Sequence, residues 1–303
     1  MDKPVVMVLG VTGKLGGLVA KELKSDSSVS LRVTTRRPEQ IGTLKATYGD
    51  AVFLDLDDPR SFAGSLKGVD RLFILTGYTV DMLVQAKSLV DAAVEAGVKH
   101  IVQLGVFTPK RECSDPHFAW HQLIQSYIRE SGIAWTFLHP NVFMQNLLDP
   151  PVAQPGQINW WGKDRKFGWI ALEDVAAAAA KILKEGPDTH LKQDYWFSTE
   201  SHNIQEVAQT LKEAIGIELK APSLDPEEML SLLQTHGVSD VYFTKGAVEF
   251  FRQVIDGRMA YVGDVRDDLP KLIGRTGITL RDWAVLHQKE LEASYRLPAA
   301  AKA

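Results

Sequence analysis

Val5-Val6-Met7-Val8-Leu9-Gly10-Val11-Thr12-Gly13-Lys14-Leu15-Gly16 is the stretch that decides the architecture. Its first five residues are all apolar, as fits a short strand buried on both faces of a parallel sheet. Glycines follow at positions 10, 13 and 16, and then Leu18-Val19-Ala20-Lys21-Glu22-Leu23 at helical spacing. In this setting Gly10 permits a tight turn and Gly13 lets the backbone approach a pyrophosphate. Gly16 lets the helix pack close to the sheet, and the helix N-terminus offers unpaired N–H groups to the anion. The bland alternative is a glycine-rich connection without ligand. The strand before it and the helix after it are the context that favours the dinucleotide reading.

Working outward, Ser30 to Thr35, Ala51 to Leu54, Asp70 to Leu75, His100 to Leu104 and Ala134 to Leu138 read as further strands. Helical periodicity fills the gaps, notably at Met82 to Ala96 and at His117 to Ser131. Strands alternating with helices predict an α/β fold, a doubly wound parallel sheet. After Pro140 the rhythm breaks. Residues 149–161 carry Pro150, Pro151, Pro155 and Gly156 and read as loop. Glu173 to Glu185 reads as helix and Tyr195 to Ser198 as a last strand. Asn203 with Glu206 has capping-box spacing at the start of another helix. Segments 226–236, 239–256 and 280–294 read as helices of a smaller, mainly helical C-terminal lobe. The expected division is 1–141 with 166–215 for the sheet domain, and 142–165 with 216–303 for the lobe.

The end of the second strand reads Arg32-Val33-Thr34-Thr35-Arg36-Arg37, without the carboxylate that would accept the ribose hydroxyls of NAD. Arg36 and Arg37 suit a 2′-phosphate and adenine stacking, so the expected cofactor is NADP(H). A solvated basic turn is the alternative. Composition narrows the partners. Among 303 residues, 34 Lys and Arg face 38 Asp and Glu, for a net charge of −4, so no general basic field exists to hold nucleic acid. The single cysteine, Cys113, excludes an intrachain disulfide framework and points to a reducing compartment. No apolar run is long enough to span a membrane and no signal peptide is evident, so the expectation is a cytoplasmic protein. No heptad seam assigns an oligomeric state, and a homodimer stays open.

Several segments together resemble the NmrA-like branch of the atypical short-chain dehydrogenase/reductases. They are Gly10-x-x-Gly13-x-x-Gly16, Arg36, Ala96-Gly97-Val98-Lys99-His100-Ile101-Val102, Phe137 to Leu147, Trp169 to Ala176, and the tail Asp267 to Gly274. The resemblance spans nearly the whole chain. It implies a Rossmann domain with strand order 3-2-1-4-5-6-7 and a lobe closing over the substrate. It further implies that Gly10, Thr12, Gly13, Lys14, Leu15 and Gly16 line the pyrophosphate, that Arg36 meets the adenosine phosphate, and that Asp55 and Leu56 meet the adenine. Thr76-Gly77 and Gly105-Val106 would pass under the ribose and nicotinamide, with Pro140, Asn141, Val142 and Phe143 flanking the ring. Members of the family include NADPH-dependent quinone, azo-dye and triphenylmethane reductases, and also non-catalytic regulators that sense the nucleotide.

The chain departs from the pattern in its acid–base residues. No Tyr is followed by Lys four positions on, so the usual proton-donor pair of short-chain dehydrogenases is missing. His121 stands where many members keep Lys, and His139 where the family has Arg. His117 and His121 lie one helical turn apart and are the candidate catalytic residues, with a structural, hydrogen-bonded role as the alternative. A metal face of Cys113, His117 and His121 is disfavoured: no zincin-type Glu stands between the histidines, and Cys113 precedes Pro116. For a flat aromatic substrate the candidates are Trp120, Trp160, Trp161 and Trp169, with Tyr78 after the fourth strand, and with Phe143, Met144 and Phe243 weaker. Core packing is the alternative for each, least so for Trp160-Trp161, which cannot both face inward on an ordinary strand. The expected activity is hydride transfer from NADPH to a conjugated, aromatic acceptor. The competing expectation is a nucleotide-sensing regulator.

Overall fold

Val6 and Val8 pack into one buried cluster with Val19 and Leu23, while Met7 and Leu9 pack into another with Leu89 and Ile101. Alternate side chains of the first strand thus feed cores on both faces of one sheet, as a two-sided parallel sheet requires. The structure is a computed structural model that describes residues 3–77, 79–109, 115–236 and 240–296; Tyr78 and Cys113 lie outside the described residues. The strands are β1 (Val5–Val8), β2 (Ser30–Thr35), β3 (Ala51–Phe53), β4 (Arg71–Ile74), β5 (His100–Leu104), β6 (Ala134–Pro140), β7 (Val142–Phe143), β8 (Ala153–Gln154), β9 (Gln157–Ile158), β10 (Phe167–Ile170), β11 (Gln193–Phe197) and β12 (Glu200–His202). Seven of them form one sheet in the order β3-β2-β1-β4-β5-β6-β11. All six pairings are parallel. This is the doubly wound Rossmann order, with β11 as the seventh strand.

Helices Lys14–Lys24 and Leu172–Glu185 pack together on one face, and Met82–Glu95 and Pro116–Glu130 on the other. The order of the strands reverses between β1 and β4. The crevice beyond the carboxyl ends of those strands is where such sheets bind ligands.

The C-terminal part has its own core, where Trp160, Trp161, Phe167, Trp169, Phe251 and Trp283 are all buried. A second sheet, β12-β10-β7, joins it to the first domain. The capping box forms as its spacing implies: Glu206 N–H donates to Asn203 Oδ1 at 2.9 Å, and Asn203 N–H to Glu206 Oε2 at 2.9 Å. That helix, Ile204–Ile215, puts Ile204, Val207 and Leu211 into the lobe core. Leu269 and Leu272 of the tail return to the core beside Leu172 and Val175.

Two local expectations are corrected. Residues 149–161 are not all loop, because β8 and β9 form a short hairpin turning at Pro155-Gly156, with Gly156 at φ +70°. The helix expected over 280–294 is two, Leu280–Leu286 and Gln288–Tyr295. They meet at His287, which leaves helical geometry (φ −104°, ψ 21°) and bonds Glu173 at 3.0 Å. Among the described residues no helix is long and apolar enough to cross a membrane.

Candidate active site

Two cavities open along the carboxyl edge of the large sheet. The first, of about 500 Å³, is lined by Gly10, Thr12 and Gly13 after β1, by Thr34 to Arg36 at the end of β2, by Leu54 to Asp57 after β3, and by Leu75 and Gly77 after β4. Gly10 adopts φ +67°, a left-handed conformation that favours glycine. A Cβ on Gly16 would lie 2.2 Å from the carbonyl oxygen of Gly10, so only glycine lets the helix start this close to the strand. Gly13 caps the helix Lys14–Lys24 and no side chain caps it, which leaves its first N–H donors for an anion. Leu15 turns its side chain into the core, so only its backbone can serve the turn. Lys14 at the start of that helix pairs with Asp149, an exposed contact that a diphosphate can displace cheaply.

Arg36 and Arg37 are both exposed, and among the described residues neither is paired with a carboxylate. Arg36 lines the cavity and Arg37 does not. Thr76 presents a buried Oγ1 that has no partner among the described residues, beside Gly77 at the cavity wall. Glycine cradle, uncapped helix and unpaired arginine fit a dinucleotide with a phosphate on its adenosine ribose.

The second cavity, of about 300 Å³, is walled mostly by apolar side chains. Gly105, Val106 and Phe107 form one side of it, Pro140, Asn141, Val142 and Phe143 another, and Asp115, His117 and Phe118 a third. Phe243, Ala247, Phe250 and Phe251 of the lobe helix Val241–Ile255 close it. Gly105 and Val106, expected under the nicotinamide, and Pro140 to Phe143, expected to flank its ring, therefore line one cavity, whereas Gly77 lines the first. Asn141 fixes the wall by donating from Nδ2 to Val262 O at 2.9 Å and accepting Val142 N–H at 3.0 Å.

The two candidate histidines part company here. Both are buried, but His117 lines the cavity, tilted against Phe243 at 5.3 Å between ring centroids, and His121 does not. His121 lies behind it, its Nδ1 3.1 Å from Gln103 Nε2. Burial, with smaller contributions from His139 and His117, pushes His121 down to about 3, and burial pushes His117 down to about 4. Both are neutral near pH 7. His139 faces away from the cavity: Nδ1 sits 3.0 Å from Val106 O, Nε2 sits 2.8 Å from Asp194 Oδ1, and the ring stacks on Trp196.

The expectation for Trp160-Trp161 is corrected. Both rings are buried, because the chain makes only an isolated bridge at Trp160 and then bends, so strand alternation does not apply. Trp160 packs on Phe167, Trp169 and Phe251, and Trp161 on Phe251. They support the cavity wall from behind. Trp120 likewise packs edge-on against His117 and does not line the cavity.

Residues that sequence reasoning missed are Asp115, Phe118, Phe250 and Phe251. Asp115 had a legible signal, since Asp-Pro before a helical run marks an N-cap. The phenylalanines had none beyond ordinary helical periodicity.

A parallel Rossmann sheet with a nucleotide-shaped crevice and an adjoining aromatic cavity defines a dinucleotide-fold protein with room for a second small ligand. Its lineage agrees. A model of the NmrA-like family matches residues 2–258, and the chain belongs to that family. It is 28% identical over 287 residues to the NAD(P)H azoreductase of Xenophilus azovorans, covering 93% of this chain and 98% of that one. It is 26% identical to the (4-alkanoyl-5-oxo-2,5-dihydrofuran-3-yl)methyl phosphate reductase of Streptomyces griseus, with the same two coverages of 93% and 98%. Citrobacter triphenylmethane reductase, solved in complex with NADP(H), superposes with a TM-score of 0.79 at 27% identity, covering 93% of this chain and 99% of that one.

Proposed function

We propose that this chain is an NADPH-dependent reductase of small conjugated acceptors, of quinone, azo or imine type, acting in the cytoplasm. The observation that carries the reading is the phenylalanine-walled cavity. It sits where the residues that would flank the nicotinamide converge, on the same sheet edge as the glycine turn and Arg36. NADPH, when bound, supplies a hydride. The chain's own work is to hold the diphosphate on the uncapped helix start, to grip the 2′-phosphate with Arg36, and to stack a flat acceptor among Phe118, Phe143, Phe243 and Phe250. Aromatic walls hold such an acceptor with offset and edge-on contacts and exclude water. At about 300 Å³ the cavity is at the lower end of ligand pockets. Shared with the nicotinamide, it favours acceptors of one or two fused rings. His117, at the wall, is the histidine placed to touch the acceptor, and His121 supports it through the helix they share.

The test is NADPH oxidation with a panel of quinones, azo dyes and imines, with NADH in parallel and Arg36→Ala as a control. Acceptor-dependent turnover is expected with NADPH. In Arg36→Ala, affinity for NADPH is expected to fall about 10- to 100-fold, the worth of a lost charge-assisted hydrogen bond, with affinity for NADH nearly unchanged. Tight NADP(H) binding with no turnover on any acceptor would favour a nucleotide-sensing regulator instead.

A further inference from the structure

The cavity holds one carboxyl group in an otherwise phenylalanine-rich wall. Asp115 is fully buried and lines the cavity two residues before His117. It caps the helix Pro116–Glu130, where Oδ1 accepts Phe118 N–H at 3.2 Å and the carboxylate also accepts the backbone N–H of His117. A capping role alone does not require burial, because caps serve equally well at the surface. What sets this cap apart is the cavity it faces. The reductase reading leaves a gap that it fills. A hydride delivered to a quinone leaves an oxyanion that must take up a proton. The usual tyrosine–lysine pair is absent, and both nearby histidines are neutral at pH 7.

We propose that Asp115 is the proton donor of the acceptor cavity. The proposal rests on the reductase reading above. In the step, hydride from NADPH forms a new bond to the quinone, the nucleotide is oxidised to NADP⁺, and the Asp115 O–H bond breaks to protonate the developing oxyanion. A solvent proton then restores the acid. The groups facing Asp115 agree with this role. Burial raises its carboxyl to about 6, Glu249 of the lobe helix adds in the same direction, and the two backbone N–H groups oppose them. His117, its neighbour on the same helix, is neutral, and Asp240 at the start of the lobe helix acts on His117. A carboxyl poised near 6 holds a useful proton population at neutral pH and can also release it. Gly246 lets the lobe helix press on the His117 ring, since a Cβ there would lie 2.6 Å from Cε1, so the acid's wall is closed from the lobe side.

Asp115→Asn separates the acid from the cap, because Asn caps helices as well as Asp does. Two acceptors of matched two-ring size separate proton donation from hydride delivery. Menadione needs a hydride and a proton, whereas the 3-cyano-1-methylquinolinium cation needs a hydride alone. The expected result is that Asp115→Asn lowers kcat for menadione by about 10²-fold and changes the quinolinium rate far less. Infrared spectra of the nucleotide-free protein give a readout independent of turnover. A protonated-carboxyl band should titrate near pH 6 in the wild type and be missing from Asp115→Asn. Equal effects on both acceptors, no effect on menadione, or no such band would overturn the proposal and leave the reductase reading standing. A wild type that binds NADPH but reduces neither acceptor would overturn both.

Discussion

The nucleotide crevice and the phenylalanine cavity share one sheet edge but are built on different principles. The crevice is built largely from backbone: a left-handed Gly10, a Gly16 that must lack a side chain, and an uncapped helix start, all within seven consecutive residues. The cavity is built from side chains that come from residues 104–107, 115–118, 140–146 and 243–251, together with Val262, and it exists only once the lobe helix has docked. Backbone sites tolerate little change at their glycines and much elsewhere. Assembled sites depend on whatever packs behind them.

That contrast is sharpest in stability. Trp161 lines neither cavity but packs on Phe251, which does line the second, and it is 2% exposed in the lobe core. Trp161→Ala is expected to cost about 3–5 kcal/mol and to loosen the cavity while the crevice still binds nucleotide. Gly16→Ala forces a Cβ against two backbone carbonyls and is expected to cost about 1–3 kcal/mol, with nucleotide binding lost first. Thermal melts alongside NADPH titration separate the two. If Trp161→Ala abolished nucleotide binding while still folded, the two sites would not be independent.

Acid acts by a smaller step per residue. His100, His117 and His121 are held at about 4, about 4 and about 3 by burial, against an unfolded value of 6.5. Between those limits the unfolded chain binds more protons than the folded one, so stability falls as pH drops below 6.5. The slope approaches about 1.4 kcal/mol per pH unit for each histidine. Asp115 runs the other way, since its raised folded value makes the folded state bind the extra proton below about 6. The melting temperature should fall between pH 7 and pH 5, and His121→Gln should fall less steeply. A pH-independent melt would contradict the neutral burial of these rings.

The same contrast explains what could be read in advance. The strand Val5–Val8, the glycine spacing, the missing carboxylate after Thr35 and the Asn203–Glu206 box are local patterns, and each has a local physical cause. The strand order of the sheet follows from the α/β alternation and the family pattern together. Trp160 and Trp161 escape strand alternation because their segment makes only an isolated bridge and then bends. Phe250 and Phe251 carried no warning, because a buried helical stripe looks the same whether it meets a core or a ligand. His117 and His121 share a helical face, and only the tertiary structure shows that one lines the cavity and the other the interior behind it.

The central claim is that the acceptor stacks in the phenylalanine cavity beside the nicotinamide, and filling that cavity tests it most directly. Ala247 lines the cavity from the lobe helix and is remote from the glycine turn. In Ala247→Phe, menadione reduction should fall at least about tenfold with a much smaller loss of NADPH affinity, because the diphosphate and the 2′-phosphate are held in the crevice outside the filled cavity. Unchanged menadione reduction in a folded Ala247→Phe protein would contradict the account, because the acceptor would then be bound elsewhere.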